Sequence, residues 1–222
     1  MTTIPPWDDI ETVLLDMDGT LLDLNFDTYF WREHLPRRYA FTRGLDIITA
    51  KAVLEPHFEK VGGTLNWYCL DYWTQLLGID IVELKKDIVH LIGVLEGATE
   101  FMDQLRKMGK RTVLVTNAHP KSLGLKLEHT RLDNHLDRII SVHEFGTPKE
   151  DPTCWQKLQA MEPFSPRSTL LIDDNLVALR SAQHFGIQHL LAACKPDTQR
   201  PALQTDEFAS FHFFNEIMPG GK

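Results

Sequence analysis

The sequence predicts an α/β fold: a parallel sheet wrapped by helices, with an all-helical segment inserted after the first strand. Three observations point to it. Short apolar runs rich in Val, Ile and Leu lie at Thr12–Leu15, Arg111–Val115, Arg138–Ser141, Thr169–Ile172 and Gln188–Leu191, each suited to a strand buried on both faces. Helix-length segments separate the later runs, the alternation that βαβ units produce. From Leu22 to about Gly93 that alternation lapses and the pattern is helical throughout.

Each element carries its own signal. The first strand ends on Asp16-Met17-Asp18-Gly19-Thr20, two acids followed by a glycine. The helical interval divides into segments near Asp27–Tyr39, Leu45–Lys60, Leu65–Leu77 and Asp80–His90, with Gly62-Gly63 as a joint. A helical domain is therefore expected at 24–92, and a sheet domain at 1–23 and 93–222. Ligands of open α/β sheets bind at strand carboxyl ends, so the helical domain should sit over the acids. On a helix through 65–77, Leu65, Cys69, Tyr72, Trp73 and Leu76 would form one buried stripe, with Trp67, Leu70 and Asp71 on another face. Farther along, Gly97–Met108 stops at Gly109, Lys121–His129 follows Pro120, Pro152–Met161 follows Asp151 as a cap, and Leu176–Phe185 stops at Gly186. Phe208, Phe211, Phe213 and Phe214 should anchor the tail against the core.

Composition narrows the function. The 222 residues are 43% hydrophobic and 24% charged, which suits a globular domain carrying a sizeable insertion. A formal charge of -8, with basic residues only in pairs such as Arg37-Arg38 and Lys85-Lys86, offers no track for a nucleic-acid backbone. Cys69, Cys154 and Cys194 are odd in number and far apart, which suggests neither a disulfide framework nor a CxxC metal site, and a reducing compartment is expected. His129 and His135 give no zinc pattern, and Ser141 and Ser168 lack a GxSxG elbow. Met1 to Asp9 has prolines and acids where a signal peptide would be basic and then apolar, and no run nears the ~18 apolar residues of a membrane span. The expectation is a cytoplasmic protein without a membrane partner.

The carboxyl ends of parallel strands converge on one edge, and the chemistry gathers there. The first strand delivers Asp16 and Asp18; the second delivers Thr116-Asn117-Ala118 ahead of a helix opening at Pro120, where a hydroxyl and free N–H groups suit a phosphate. Lys149 follows the third strand as a fixed cation, and the fourth delivers Asp173-Asp174. Four acids so placed repel one another unless a hard divalent cation shares them, and Mg2+ prefers such oxygen ligands. This is a site for phosphoryl transfer: an aspartate attacks the neutralised phosphate, and an acid two residues on protonates the leaving oxygen and then activates water.

In this order and on these strand ends, Asp16-Met17-Asp18-Gly19-Thr20, Val115-Thr116-Asn117, Lys149 and Asp173-Asp174 resemble the four motifs of the haloacid dehalogenase superfamily. The resemblance implies a Rossmann-like core, with strands ordered 5-4-1-2-3 or the same read backwards, and a helical cap inserted after the first motif. It implies Asp16 as nucleophile and metal ligand, and Asp18 as general acid/base giving its backbone carbonyl to the metal. Thr116 and Lys149 would bind phosphate, with Met17, Asn117 and Ala118 around the substrate. Many relatives carry a further acid four places after the fourth motif, where this chain has Ala178. Asp174 is therefore assigned as the direct Mg2+ ligand, with Asp173 either standing in for the missing acid or acting through water.

The acid at Asp18 also separates subfamilies, because dehalogenase members lack it while phosphatases and phosphomutases keep it. Among Lys51, Lys60, Lys85 and Lys86 nothing singles out a Schiff-base lysine of the phosphonate-cleaving kind. Leu65–Trp73, Thr116–Pro120, Lys126–Thr130 and Phe145–Asp151 are similar to the GMP/IMP nucleotidase branch, which implies hydrolysis of purine nucleoside monophosphates. In that setting Trp67 would stack on the purine and Asp71 accept from a guanine amine, with Phe30 and Trp31 as further aromatic candidates. Two other readings stand beside it: a phosphatase or phosphomutase for sugar phosphates or phosphoglycolate, and a non-catalytic fold that binds a metabolite or partner. Asp16 and Asp18, both present, oppose the last.

Overall fold

Thr12, Val13, Leu14 and Leu15 are all buried, and together they form strand β1 (Thr12–Leu15) at the middle of the sheet. The computed structural model describes residues 4–220; the readings of the leader and the tail that reach residues 1–3 and 221–222 lie outside it. Strands β2 (Arg111–Thr116), β3 (Arg138–Ser141), β4 (Thr169–Asp173), β5 (His189–Ala193) and β6 (Ala209–Phe211) join β1 in the order β3-β2-β1-β4-β5-β6, every pair parallel. The first five strands have the expected order, read backwards. The sixth is an addition: only Phe211 of its three residues is buried, too little pattern to mark a strand in the sequence.

Alternate residues of each strand serve opposite faces. Val13, Leu15, Leu170 and Ile172 enter one core, and Leu14, Val113, Val115 and Leu171 enter the other. Each such fully buried aliphatic side chain contributes about 1.5–3 kcal/mol, which is why both layers of helices are held to the sheet. The tail closes the first core through Phe211 and Phe214, and Phe208 packs in the second, but Phe213 is 51% exposed and anchors nothing.

Between β1 and β2 the chain forms α1 (Asn25–Tyr29), a π-helical turn (Phe30–His34), α2 (Leu35–Arg43), α3 (Ile47–Val61), α4 (Leu65–Tyr68), α5 (Leu70–Leu77), α6 (Ile81–Lys86) and α7 (Ala98–Lys107). The remaining helices are α8 (Pro120–Thr130), α9 (Thr153–Met161) and α10 (Leu176–Phe185), all within a residue or two of expectation. The two connections to the helical insertion run side by side, with Asp23 N–H donating to the Gly93 carbonyl at 2.9 Å. Phe26, Phe30, Leu54 and Trp73 of the insertion continue the core of one sheet face.

The expected helix 65–77 is broken at Cys69, whose backbone is extended (φ -82°, ψ 106°). The break is satisfied locally, because Trp73 Nε1 donates to the Trp67 carbonyl at 2.8 Å and Cys69 Sγ accepts from Tyr72 N–H, capping α5. The buried face shifts with it: Leu70, Trp73 and Leu77 are buried while Leu76 is 40% exposed, which corrects the stripe drawn through Leu65 and Leu76.

Candidate active site

β1 stops where Asp16 N–H donates to the Ile172 carbonyl at 3.0 Å, so Asp16 emerges at the sheet edge between β2 and β4. This is the switch point of the sheet, where the chain's later strands depart in opposite directions and a crevice opens. The chain then reverses. Met17 O accepts from Leu21 and Leu22 N–H, Gly19 N–H donates to Leu22 O at 2.7 Å, and Gly19 takes φ +94°. A Cβ there would lie 2.5 Å from Asp174 Oδ2, so glycine lets the acids of β1 and β4 approach.

Lys149 Nζ, at the centre, bonds Asp16 Oδ1 and, at 2.7 Å, Asp173 Oδ2. Burial opposes its charge, yet Asp16 and Asp173 hold the ammonium well above its ordinary range. Asn117 sets the Lys149 loop: its Oδ1 accepts from Lys149 N–H at 2.9 Å and its Nδ2 donates to Glu150 Oε2 at 2.9 Å. Glu150 Oε1 in turn accepts from Asn175 Nδ2 at 3.0 Å and from the Tyr68 hydroxyl of the insertion at 2.5 Å. Thr116 Oγ1 accepts from Ala118 N–H at 3.0 Å, folding the end of β2 around the same floor.

Asp16, Asp173 and Asp174 each offer an oxygen within 4.8 Å of the others. Both oxygens of Asp173 are committed, to Lys149 and to the Asn175 N–H at 2.9 Å, whereas Asp16 Oδ2 is buried without a partner. Burial pushes Asp16 up to about 6, with Lys149 pulling the other way, and burial together with Asp16 and Asp173 pushes Asp174 well above the carboxylate range. An unmet carboxylate oxygen beside two further acids is the donor set of a hard cation site.

Asp18 belongs to a second cluster, in which the lysines are buried and the acids half-buried. Lys126 Nζ of α8 reaches Asp18 Oδ1 at 2.6 Å and Asp27 Oδ2 at 2.5 Å, and Lys85 Nζ of α6 reaches Asp27 Oδ1 at 2.5 Å. Burial raises Asp18 to about 6 against the pull of Lys126. Asp27 goes the other way: burial would raise it, but Lys126 and Lys85 outweigh that and hold it below the carboxylate range.

These residues share one cavity of about 450 Å³. Asp16, Asp18, Lys149, Asp173 and Asp174 form its floor; Trp31, Phe58 and Trp67 of the insertion form an aromatic wall, and Arg32 and Glu55 also line it. Trp31 and Trp67 stack at 5.7 Å between centroids and 29°.

Of the residues singled out in the sequence, Asp16, Asp18, Trp67, Thr116, Asn117, Ala118, Lys149, Asp173 and Asp174 line this cavity. Met17 does not; its side chain is fully buried in the core. Phe30 is likewise core. Asp71, placed beside Trp67 by the helix expected there, instead pairs with Lys121 at 2.6 Å and is absent from the cavity wall. Lys126, Asp27 and Lys85 carry no site role in the sequence reading, because ion pairs separated by 108, 99 and 58 residues leave no spacing signal.

A family model described as haloacid dehalogenase-like hydrolase matches residues 10–186. The GMP/IMP nucleotidase YrfG of Escherichia coli (strain K12) is 40% identical over 213 residues, which cover 96% of each chain. The pyrophosphatase PpaX of Bacillus cereus is 23% identical over 182 residues, 80% of each chain. Among solved structures, a HAD phosphatase from Thermococcus onnurineus matches with a TM-score of 0.76 at 18% identity, covering 93% of this chain and 95% of that one.

Proposed function

Because the chain belongs to the haloacid dehalogenase-like hydrolase family and is a phosphoric monoester hydrolase, we propose that it is a Mg2+-dependent 5′-nucleotidase acting on GMP and IMP. The observation that carries the reading is the meeting, in one cavity, of a carboxylate and lysine floor with a wall of stacked aromatic rings. The floor suits a phosphate and the wall suits a base. Residues 24–92 are read as the cap that supplies the wall.

Asp16, Asp174 and the Asp18 carbonyl would hold Mg2+, a fit supported by the unpartnered Asp16 Oδ2 and the all-oxygen donor set. The ion, when bound, neutralises phosphate charge so that an anionic nucleophile can approach. Lys149 and Thr116 bind the phosphoryl oxygens. Asp16 attacks phosphorus, forming an Asp16 O–P bond as the bond from phosphorus to the 5′ oxygen breaks, and Asp18 gives its proton to that oxygen. Water then attacks the aspartyl-phosphate and yields its proton to Asp18, releasing phosphate and restoring both groups. A carboxyl raised to about 6 exchanges protons near neutral pH, as this double duty requires.

The wall also selects. Guanine and hypoxanthine share a C6 carbonyl and an N1–H, and Arg32 can donate to the first while Glu55 accepts from the second. Adenine offers the reverse pattern at both atoms.

A panel of monophosphates tests the proposal. GMP and IMP should be turned over ahead of AMP, sugar phosphates and phosphoglycolate, and Asp16→Asn should abolish release of phosphate from all of them. Equal or faster turnover of sugar phosphates would defeat the substrate assignment, and an active Asp16→Asn would defeat the mechanism.

A further inference from the structure

Cys69, His119 and His143 come together from three separate places: the break between α4 and α5, the turn before α8, and the turn after β3. Phosphoryl transfer has no use for this group. One ligand atom from each residue lies within 4.8 Å of the other two. The two imidazoles stand 5.0 Å apart, centroid to centroid, and nearly perpendicular. His143 Nε2 is buried with no hydrogen-bond partner, a state that costs free energy unless something fills it. The other two ligands are weakly held, His119 Nδ1 accepting a long 3.3 Å bond from Lys121 N–H and Cys69 Sγ a 3.5 Å bond from Tyr72 N–H. Asp71 Oδ2 lies 3.6 Å from His119 Nε2, which sets a carboxylate at the edge of the cluster.

We propose that Cys69, His119 and His143 form a second metal site, for a divalent transition ion of the Zn2+ class, separate from the carboxylates that suit Mg2+. One thiolate and two neutral imidazoles, completed by Asp71 or water, are a tetrahedral zinc donor set. Sulfur and nitrogen ligands favour Zn2+ over Mg2+, and an all-oxygen set has the opposite preference. Sulfur ligates as the thiolate and imidazole as the neutral ring, so binding at such a site is linked to proton release and weakens as the pH falls. The arrangement has a mechanical consequence. Cys69 belongs to the helical insertion and both histidines to the sheet's loops, so the ion ties the two together beside the cavity that His119 helps to line. Zinc-loaded protein should therefore be more resistant to heat and slower to turn over, because the insertion is held shut.

The test uses the full chain with Mg2+ in excess and Co2+ or Zn2+ as the probe. The wild type should bind one Co2+ with a thiolate-to-metal charge-transfer band, lose the band to Zn2+, and melt at a higher temperature with Zn2+ bound. Cys69→Ser, which keeps the cap on α5, and His143→Gln should each remove the band and weaken Zn2+ by more than the roughly 10–100-fold that loss of a mere supporting partner costs. Both variants should retain phosphatase activity without zinc, which shows that they are folded. Absence of the band in the wild type, or Zn2+ affinity unchanged in both variants, would place the ion on the carboxylates instead and overturn the proposal.

Discussion

Lys126 Nζ lies 2.6 Å from Asp18 Oδ1, and this contact joins the proposed acid/base to a chain of charges that runs through Asp27 to Lys85. Lys126 and Lys85 side chains are each 2% exposed, so neither has water to fall back on. The chain of charges links the helical insertion to a helix that flanks the sheet, since Asp27 and Lys85 come from α1 and α6 while Lys126 comes from α8. Asp18 is thus held in place by residues on both sides of the cavity.

Replacing Lys126 with Met leaves Asp18 without its cation and Asp27 with Lys85 alone, both acids half-buried. Breaking a fully buried pair costs roughly 3–5 kcal/mol of stability, and water reaching the partly exposed acids should bring the loss here below that range. The kcat should fall by about 100-fold or more, the range lost when a general acid is misplaced. Urea unfolding and steady-state kinetics measure the two effects; a variant as stable and active as the wild type would remove Lys126 from the site.

Gly19→Ala should act through Asp174. The added Cβ collides with Asp174 Oδ2 at 2.5 Å, and φ +94° is itself unfavourable for alanine. The Mg2+ concentration needed for half-maximal activity should rise at least about tenfold, the scale on which disturbing a metal ligand's support acts. A magnesium titration of activity checks this, and an unchanged midpoint would mean that Asp174 does not hold the ion.

Trp67→Ala and Trp31→Ala should raise the KM for GMP while leaving turnover of a small phosphate ester nearly unchanged. Stacking of a base on an aromatic side chain is worth about 1–3 kcal/mol, so the KM should rise roughly fivefold or more. If both substrates suffer alike, the aromatic wall supports the fold and not the base.

Asp174→Asn should be more stable than the wild type when metal is removed at pH 7.5. Burial and the neighbouring Asp16 and Asp173 raise the folded-state pKa of Asp174 well above its ordinary 3.8, so the folded protein favours the protonated form. Stability from this group is complete below 3.8 and is lost as the pH rises through the higher folded value. Asparagine cannot ionise and escapes the loss. The advantage of the variant should therefore shrink as pH falls from 7.5 toward 4, and thermal melts in a chelator measure it. A variant no more stable than the wild type at pH 7.5 would contradict the electrostatic reading.

Legibility in the sequence followed the range of the interactions. The strands β1 to β5 and the helix α10 were read correctly because buried strands and glycine-stopped helices announce themselves within a few residues. That Asp16, Asp18, Thr116, Lys149 and Asp174 line one cavity is legible because four of them follow closely on the ends of β1, β2 and β4 and Lys149 lies in the loop after β3, and parallel strands bring their carboxyl ends to one edge. The break at Cys69 is invisible in the sequence, since periodicity through 65–77 suits a continuous helix, and the bonds that satisfy the interruption, Trp73 Nε1 to the Trp67 carbonyl and Tyr72 N–H to Cys69 Sγ, carry no spacing signal. Asp71 moved out of the site with that break.

The sequence by itself determined the alternation of strands and helices, the helical insertion and the acids at the sheet edge, because local hydrophobic period and turn chemistry decide all of these. The tertiary structure alone decided which lysines stand against which acids, that Trp31 and Phe58 join Trp67 in one wall, and that Cys69 meets two histidines. Those contacts join residues that are neighbours only after the chain has packed. Whether a buried charge or an aromatic ring is tolerated depends on what faces it across the fold, and no local stretch of sequence records that.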